Sequence, residues 1–116
     1  MKAKPLTEAK ILSVPAIRVL IFMAGDIAKA KKICQEYCDA VGLCVTVDST
    51  EYVYSGGSES GFTIGLINYA RFPKTREDVW HHARTLAVHL LNDLDQLSFT
   101  IQDDRESVFF SWRDYV

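Results

Sequence analysis

A chain of 116 residues, 48% apolar and 24% charged, has the make-up of one ordinary globular domain, which excludes a disordered chain and leaves no room for a second core. Its formal charge of −2 gives no overall reason to expect nucleic acid as a partner. Residues 1–42 hold seven basic and four acidic side chains, whereas residues 43–116 hold six and eleven; solvated faces explain such a split most simply, and head-to-tail pairing of two copies is the sharper alternative.

Residues 1–15 read as an N-terminal extension bounded by Pro5 and Pro15, with residues 16–116 forming a single α+β domain. Lys2, Lys4 and Lys10 ahead of an apolar run resemble a secretory leader. Pro15 and Arg18 break that run, and it is too short to cross a bilayer. Three cysteines are an odd number and too few for a stapled secreted domain, so a cytoplasmic location with no membrane contact is expected. Leu6, Ile11, Leu12 and Val14 make the extension sticky, and residues 7–12 can form a short helical turn.

A two-residue alternation through Ile17, Val19, Ile21 and Met23 predicts a strand over 16–24. Asp26 is placed to cap a helix whose apolar spacing runs through Ile27, Ala30, Ile33, Tyr37 and Val41. Gly42 suits its left-handed end. A second strand is expected over 43–54, a glycine- and serine-rich flexible tip over 55–61, and a third strand over 62–69, stopped by Pro73. Thr75 reads as the cap of a second helix, with Glu77 and Asp78 at its positive end and Val79, Ala83, Leu86, Leu90 and Leu94 on its apolar stripe. The chain then turns at Asp103, Asp104 and Arg105, which predicts a hairpin within 99–112.

Strand, helix, strand, strand, helix, strand resembles the ferredoxin-like superfold from Ala16 to Trp112: an antiparallel sheet with two helices on one face. That resemblance describes topology and implies neither an iron–sulfur cluster nor an activity. The runs Tyr52-Val53-Tyr54-Ser55-Gly56-Gly57-Ser58-Glu59-Ser60-Gly61, Gly65-Leu66-Ile67-Asn68-Tyr69 and Arg71-Phe72-Pro73 are similar to small uncharacterised proteins of phages and prophages. This similarity implies an accessory role without transferring any catalytic residue.

The second face of the sheet is the first functional pointer. Arg18, Leu20, Phe22 and Ala24 alternate against the inward set, and Ile67 and Tyr69 oppose Phe62, Ile64 and Leu66. Each large apolar side chain left uncovered forgoes roughly 1.5–3 kcal/mol. Either the N-terminal extension covers this face or a second copy does, and a homodimer is the preferred expectation.

Candidate chemistry is sparse. The glycine-rich tip matches no phosphate-binding pattern, and Glu59 in it would repel phosphate and attract a cation. Tyr52 and Tyr54 share one strand face and can stack a flat ligand, although tyrosine is also a common strand residue. Asn68, Tyr69 and Arg71 place polar heads at the end of strand three, either as a site or as ties for the loop before Pro73. His81 and His82 lie on different helical faces without an evident partner, and His82 and His89 are about 10.5 Å apart along the axis. Cys34, Cys38 and Cys44 follow no metal spacing, and Cys34 and Cys38, on or beside the core stripe, read as buried, inert thiols. No cofactor or metal is expected. The leading expectation is a binding or interaction module using Tyr52, Tyr54, Glu59, Asn68, Tyr69 and Arg71 toward a protein or small molecule. The alternative is a small enzyme with its site in a subunit cleft, and a single-stranded nucleic-acid binder comes third.

Overall fold

The computed structural model describes residues 3–114. Five strands and two helices follow the order β1 (Arg18–Ala24), α1 (Ile27–Val41), β2 (Thr46–Tyr54), β3 (Gly57–Ile67), α2 (Arg76–Asp93), β4 (Ser98–Gln102) and β5 (Ser107–Ser111). The sheet order is β2-β3-β1-β4-β5, and every neighbouring pair is antiparallel. This is the expected α+β arrangement, with the C-terminal hairpin adding a fifth strand at one edge.

Alternation in β1 works as the sequence implies. Val19, Ile21 and Met23 are at most 2% exposed and meet Phe62, Ile64 and Leu66 of β3 on the helix-covered side. The two helices contribute unequally. α2 buries seven side chains, among them Leu86 and Leu90, whereas α1 fully buries only Ala30 and Cys34. Asp26 accepts from the amides of Ala28 and Lys29 at 2.8 and 3.3 Å, and Gly42 closes α1 at φ +72°. Thr75 Oγ1 accepts from the Asp78 amide at 3.1 Å, so both N-caps are formed.

The glycine-rich segment departs from expectation. It is not a seven-residue flexible tip, because Ser55 and Gly56 alone form the turn, with Tyr54 paired to Gly57 and Gly56 at φ +91°. β3 therefore begins five residues earlier than its apolar pattern suggests. Ser58, Glu59 and Ser60 pair with Val53, Tyr52 and Glu51 beyond the helix layer, where neither face needs apolar residues.

The extension also differs from a lid. A 3-10 turn forms at Leu6–Glu8, yet no residue from Ala3 to Ser13 is buried, and Leu6, Ile11 and Leu12 are 65–76% exposed. Only its end is held: Asn68 Nδ2 donates to the Pro15 carbonyl at 2.9 Å, and the Asn68 amide donates to the Ile17 carbonyl. Among the described residues no helix is long and apolar enough to cross a membrane.

The β4–β5 hairpin is tied to α2 through one carboxylate. Asp103, its side chain 2% exposed, accepts from Trp80 Nε1 and Arg76 Nη1 at 2.8 Å each and from the amides of Arg105 and Glu106 at 2.7 and 2.9 Å. Burial alone would raise its pKa. The four donors outweigh that and hold it far below the usual carboxylate range. A depressed folded value means a contribution present above the unfolded value of about 3.9 and lost as pH falls through the folded one. Asp103→Asn should lower stability by about 1–3 kcal/mol at pH 7 in urea unfolding. The gap to the parent protein should shrink steadily as pH is taken from 5 toward 2.

Candidate functional site

On the face away from the helices, strand register lines side chains up in rows. Ala24 pairs with Gly61, and Gly61 with Thr50. Carrying the Phe22–Thr100 pairing on by two residues puts Ser98 level with Ala24, and Ser98 pairs with Ser111. No side chain in this row is larger than threonine. The row toward the sheet centre holds Phe22, Thr63, Thr100 and Phe109. The row toward the end holds Tyr52 and Glu59 and, by the same count, Gln96 and Arg113. A small row between two larger ones leaves a hollow of about 240 Å³, lined by Phe22, Ala24, Tyr52, Glu59, Thr100, Phe109 and Arg113 among others.

Tyr52 is built into the backbone of this site. Its hydroxyl donates to the Phe62 carbonyl at 2.6 Å and accepts from the Met23 amide at 3.2 Å, bridging β1 and β3 at a paired position. The ring reaches there by lying across Gly61. A Cβ on Gly61 would sit 2.6 Å from the Tyr52 ring and 2.8 Å from Ala24 Cα, and closer still to the Met23 carbonyl. Glycine at 61 thus serves close approach rather than flexibility. Burial, with a smaller push from Glu59, raises the Tyr52 pKa against the opposing hydrogen bonds, so the group is a neutral phenol at physiological pH. Glu59 stands directly opposite Tyr52 in the register and is exposed. The hollow can therefore hold a flat or apolar body against Phe22, Phe109 and Tyr52, with a cationic group toward Glu59.

The six residues singled out from the sequence do not form one site. Tyr52 and Glu59 share the hollow. Tyr54 is on the same face one step nearer the turn, 54% exposed, with its ring against Gly57. Asn68, Tyr69 and Arg71 lie at the opposite end of β3, roughly 30 Å from Glu59 at the rise of a strand. Asn68 is a tie: its Nδ2 donates to the Pro15 carbonyl and its Oδ1 accepts from the Lys74 amide at 2.8 Å. The Tyr69 hydroxyl meets the Cys44 thiol at 3.1 Å, and that hydrogen bond, followed by burial, raises its pKa. The Arg71 guanidinium stacks over Phe72 at 5.2 Å.

Other groups have structural explanations. His82 does have a partner, since its Nδ1 lies 2.8 Å from the Tyr37 hydroxyl between the helices. Burial and then Lys74 and His81 lower its pKa. Burial pushes the Cys34 thiol up to about 12, with help from Cys38, and Cys38 is raised as well. These thiols line a larger hollow of about 440 Å³ between α1 and β2, but raised pKa values leave them as poor nucleophiles. No group of three metal-ligating side chains occurs among the described residues. Phe109 and Arg113 are absent from the sequence-based set, although the alternation Ser107, Phe109, Ser111, Arg113 already places them on one face.

No protein-family model matches this sequence, and no curated protein matches it. Two solved structures of a phage SAM lyase share its fold. The apo form superposes with a TM-score of 0.66 at 15% identity, covering 86% of this chain and 92% of the other. The complex with S-methyl-5'-thioadenosine gives 0.60 at 13%, covering 92% and 98%. A de novo designed protein with a ferredoxin fold gives 0.38 at 14% over 89% of each chain, too low to add to the argument.

The Tyr52–Gly61 fit makes a checkable statement about packing. Gly61→Ala should destabilise the protein by about 1–3 kcal/mol, as overpacking against backbone does. In a Tyr52→Ala background the loss should be smaller but not zero, because the Met23 carbonyl still opposes the new methyl. Thermal and urea unfolding of the four proteins in this cycle measure both terms.

Proposed function

We propose that this protein is a small lyase that cleaves S-adenosylmethionine, releasing S-methyl-5'-thioadenosine, in the hollow beside Tyr52 and Glu59. The observation that carries the reading is a coincidence of two features. The chain has the fold of the phage SAM lyase over most of both chains, and its open sheet face offers aromatic walls next to a carboxylate. A sulfonium nucleoside presents the matching pair, a flat base and a positive charge. This favours the enzyme alternative over the binding module that the sequence alone suggests, and it fits an accessory protein of phage origin.

The chemistry asks little of the protein. The substrate's own carboxylate oxygen attacks the carbon bonded to sulfur as that bond breaks. The bond's electron pair goes to sulfur, the aminoacyl fragment closes to a lactone, and the sulfonium and carboxylate charges disappear together as the neutral thioether leaves. Apolar walls replacing water favour loss of those charges. Glu59 draws the cationic substrate into place. Tyr52, held neutral and pinned to two strands, shapes the wall and takes no proton.

The hollow opens on a face with Tyr54, Ile67 and Phe109 42–54% exposed and Leu20 and Phe22 half-buried. We propose that a second copy covers it, so that the site lies in a subunit cleft. A binding module without turnover is the second reading, favoured by one fact: the Tyr52 hydroxyl is spent on the Met23 amide and the Phe62 carbonyl, so it is not free to act on a bound molecule.

Incubation of the purified protein with S-adenosylmethionine, followed by chromatography with mass detection, should show S-methyl-5'-thioadenosine forming well above the uncatalysed rate. Glu59→Gln should lower kcat/KM about 100-fold with folding intact. Tight binding without release would select the second reading, and neither binding nor release would end both. Light scattering should show more than one copy at tens of micromolar. Phe109→Asp, on the exposed face, should shift the protein toward monomer and reduce turnover.

A further inference from the structure

The hollow carries a second charge that the lyase reading does not use. Arg113 follows β5 in the same alternation as Ser107, Phe109 and Ser111, which sets it on the open face, and it lines the hollow together with Glu59. Its backbone is placed by two hydrogen bonds, from its own amide to Ser111 Oγ at 3.2 Å and from the Trp112 amide to the Leu97 carbonyl at 2.8 Å. Among the described residues no ion pair engages either Arg113 or Glu59. Three strand spacings, about 14 Å of backbone, separate β3 from β5. The hollow is thus bipolar, with a carboxylate at one edge, a guanidinium at the other, and the hydroxyls of Ser98 and Thr100 between them.

We infer that Arg113 receives the carboxylate of a zwitterionic ligand whose cationic part faces Glu59, so that the site selects nucleosides bearing an aminoacyl chain over the nucleoside alone. The inference rests on the proposed function for the nucleoside part and on the charge geometry for the aminoacyl part. A guanidinium presents two parallel donors that match a carboxylate, and a charge-assisted pair is stronger than a neutral hydrogen bond. Opposite charges at opposite edges also orient the ligand, because the reversed pose would set like charges together at both ends.

Calorimetric titration with three probes tests this. S-adenosylhomocysteine carries nucleoside and aminoacyl chain, S-methyl-5'-thioadenosine carries the nucleoside alone, and S-methylmethionine carries the aminoacyl sulfonium alone. The parent protein should bind S-adenosylhomocysteine more tightly than S-methyl-5'-thioadenosine. Arg113→Gln should weaken S-adenosylhomocysteine about ten- to a hundredfold while leaving S-methyl-5'-thioadenosine within twofold. Arg113→Lys should recover part of the loss. Equal weakening of both nucleosides, or of neither, overturns the assignment while leaving the lyase reading in place. Binding of S-methylmethionine that depends on Arg113, with no binding of S-methyl-5'-thioadenosine, upholds the charge assignment and removes the nucleoside. Failure of all three probes to bind the parent protein overturns both.

Discussion

The register of β1 between its two neighbours is the constraint on which the other features rest. Val19, Ile21 and Met23 are buried under the helices, each worth roughly 1.5–3 kcal/mol. A slip by one residue would turn all three outward, so the pairing with β3 and with β4 is locked. Once it is locked, every position on the far side is set by counting. Gly61, Ala24, Ser98 and Ser111 fall into one row, and the hollow forms where that row crosses the sheet.

Two polar anchors keep the outer strands in step with this centre. On one side the Tyr52 hydroxyl joins the backbone of β1 to that of β3, fixing the β2–β3 ribbon where it leaves the cover of the helices. On the other side Asp103 gathers Trp80, Arg76 and two amides of its own turn, fixing the β4–β5 hairpin to α2. Neither anchor belongs to the apolar core. Each is a fully engaged polar group at the boundary of the core, where an unmatched partner would cost more than the bond contributes. Together they hold the two rims of the hollow, Glu59 with the ribbon and Arg113 with the hairpin.

The sequence made the framework legible because that framework is written in local periodicity. Spacing by twos and by helical turns marks β1 and both helices, while Asp26, Gly42 and Thr75 mark the caps and Asp103-Asp104-Arg105 the turn of the final hairpin. It misread 57–61, because glycine and serine there suggest a loose loop, whereas Gly61 is small to admit a tyrosine ring and Gly57 to admit another. It also grouped Asn68, Tyr69 and Arg71 with Tyr52 and Glu59, since all sit near β3 in the chain. A strand rises so steeply that nine residues cover roughly 30 Å. Phe109 and Arg113 were out of reach for the converse reason: their proximity to Glu59 comes through β4 and β1, partners remote in sequence.

The floor of the hollow has a consequence for how such a protein can diversify. Its depth is set by Ala24 and Ser98, side chains of at most two heavy atoms on a sheet whose stability is secured on the opposite surface. Exchanging either of them for a slightly bulkier residue would make the cavity shallower without disturbing the layer beneath the helices. The scaffold can thus change the volume of this hollow by small substitutions at two solvent-side positions, leaving its packed layer undisturbed.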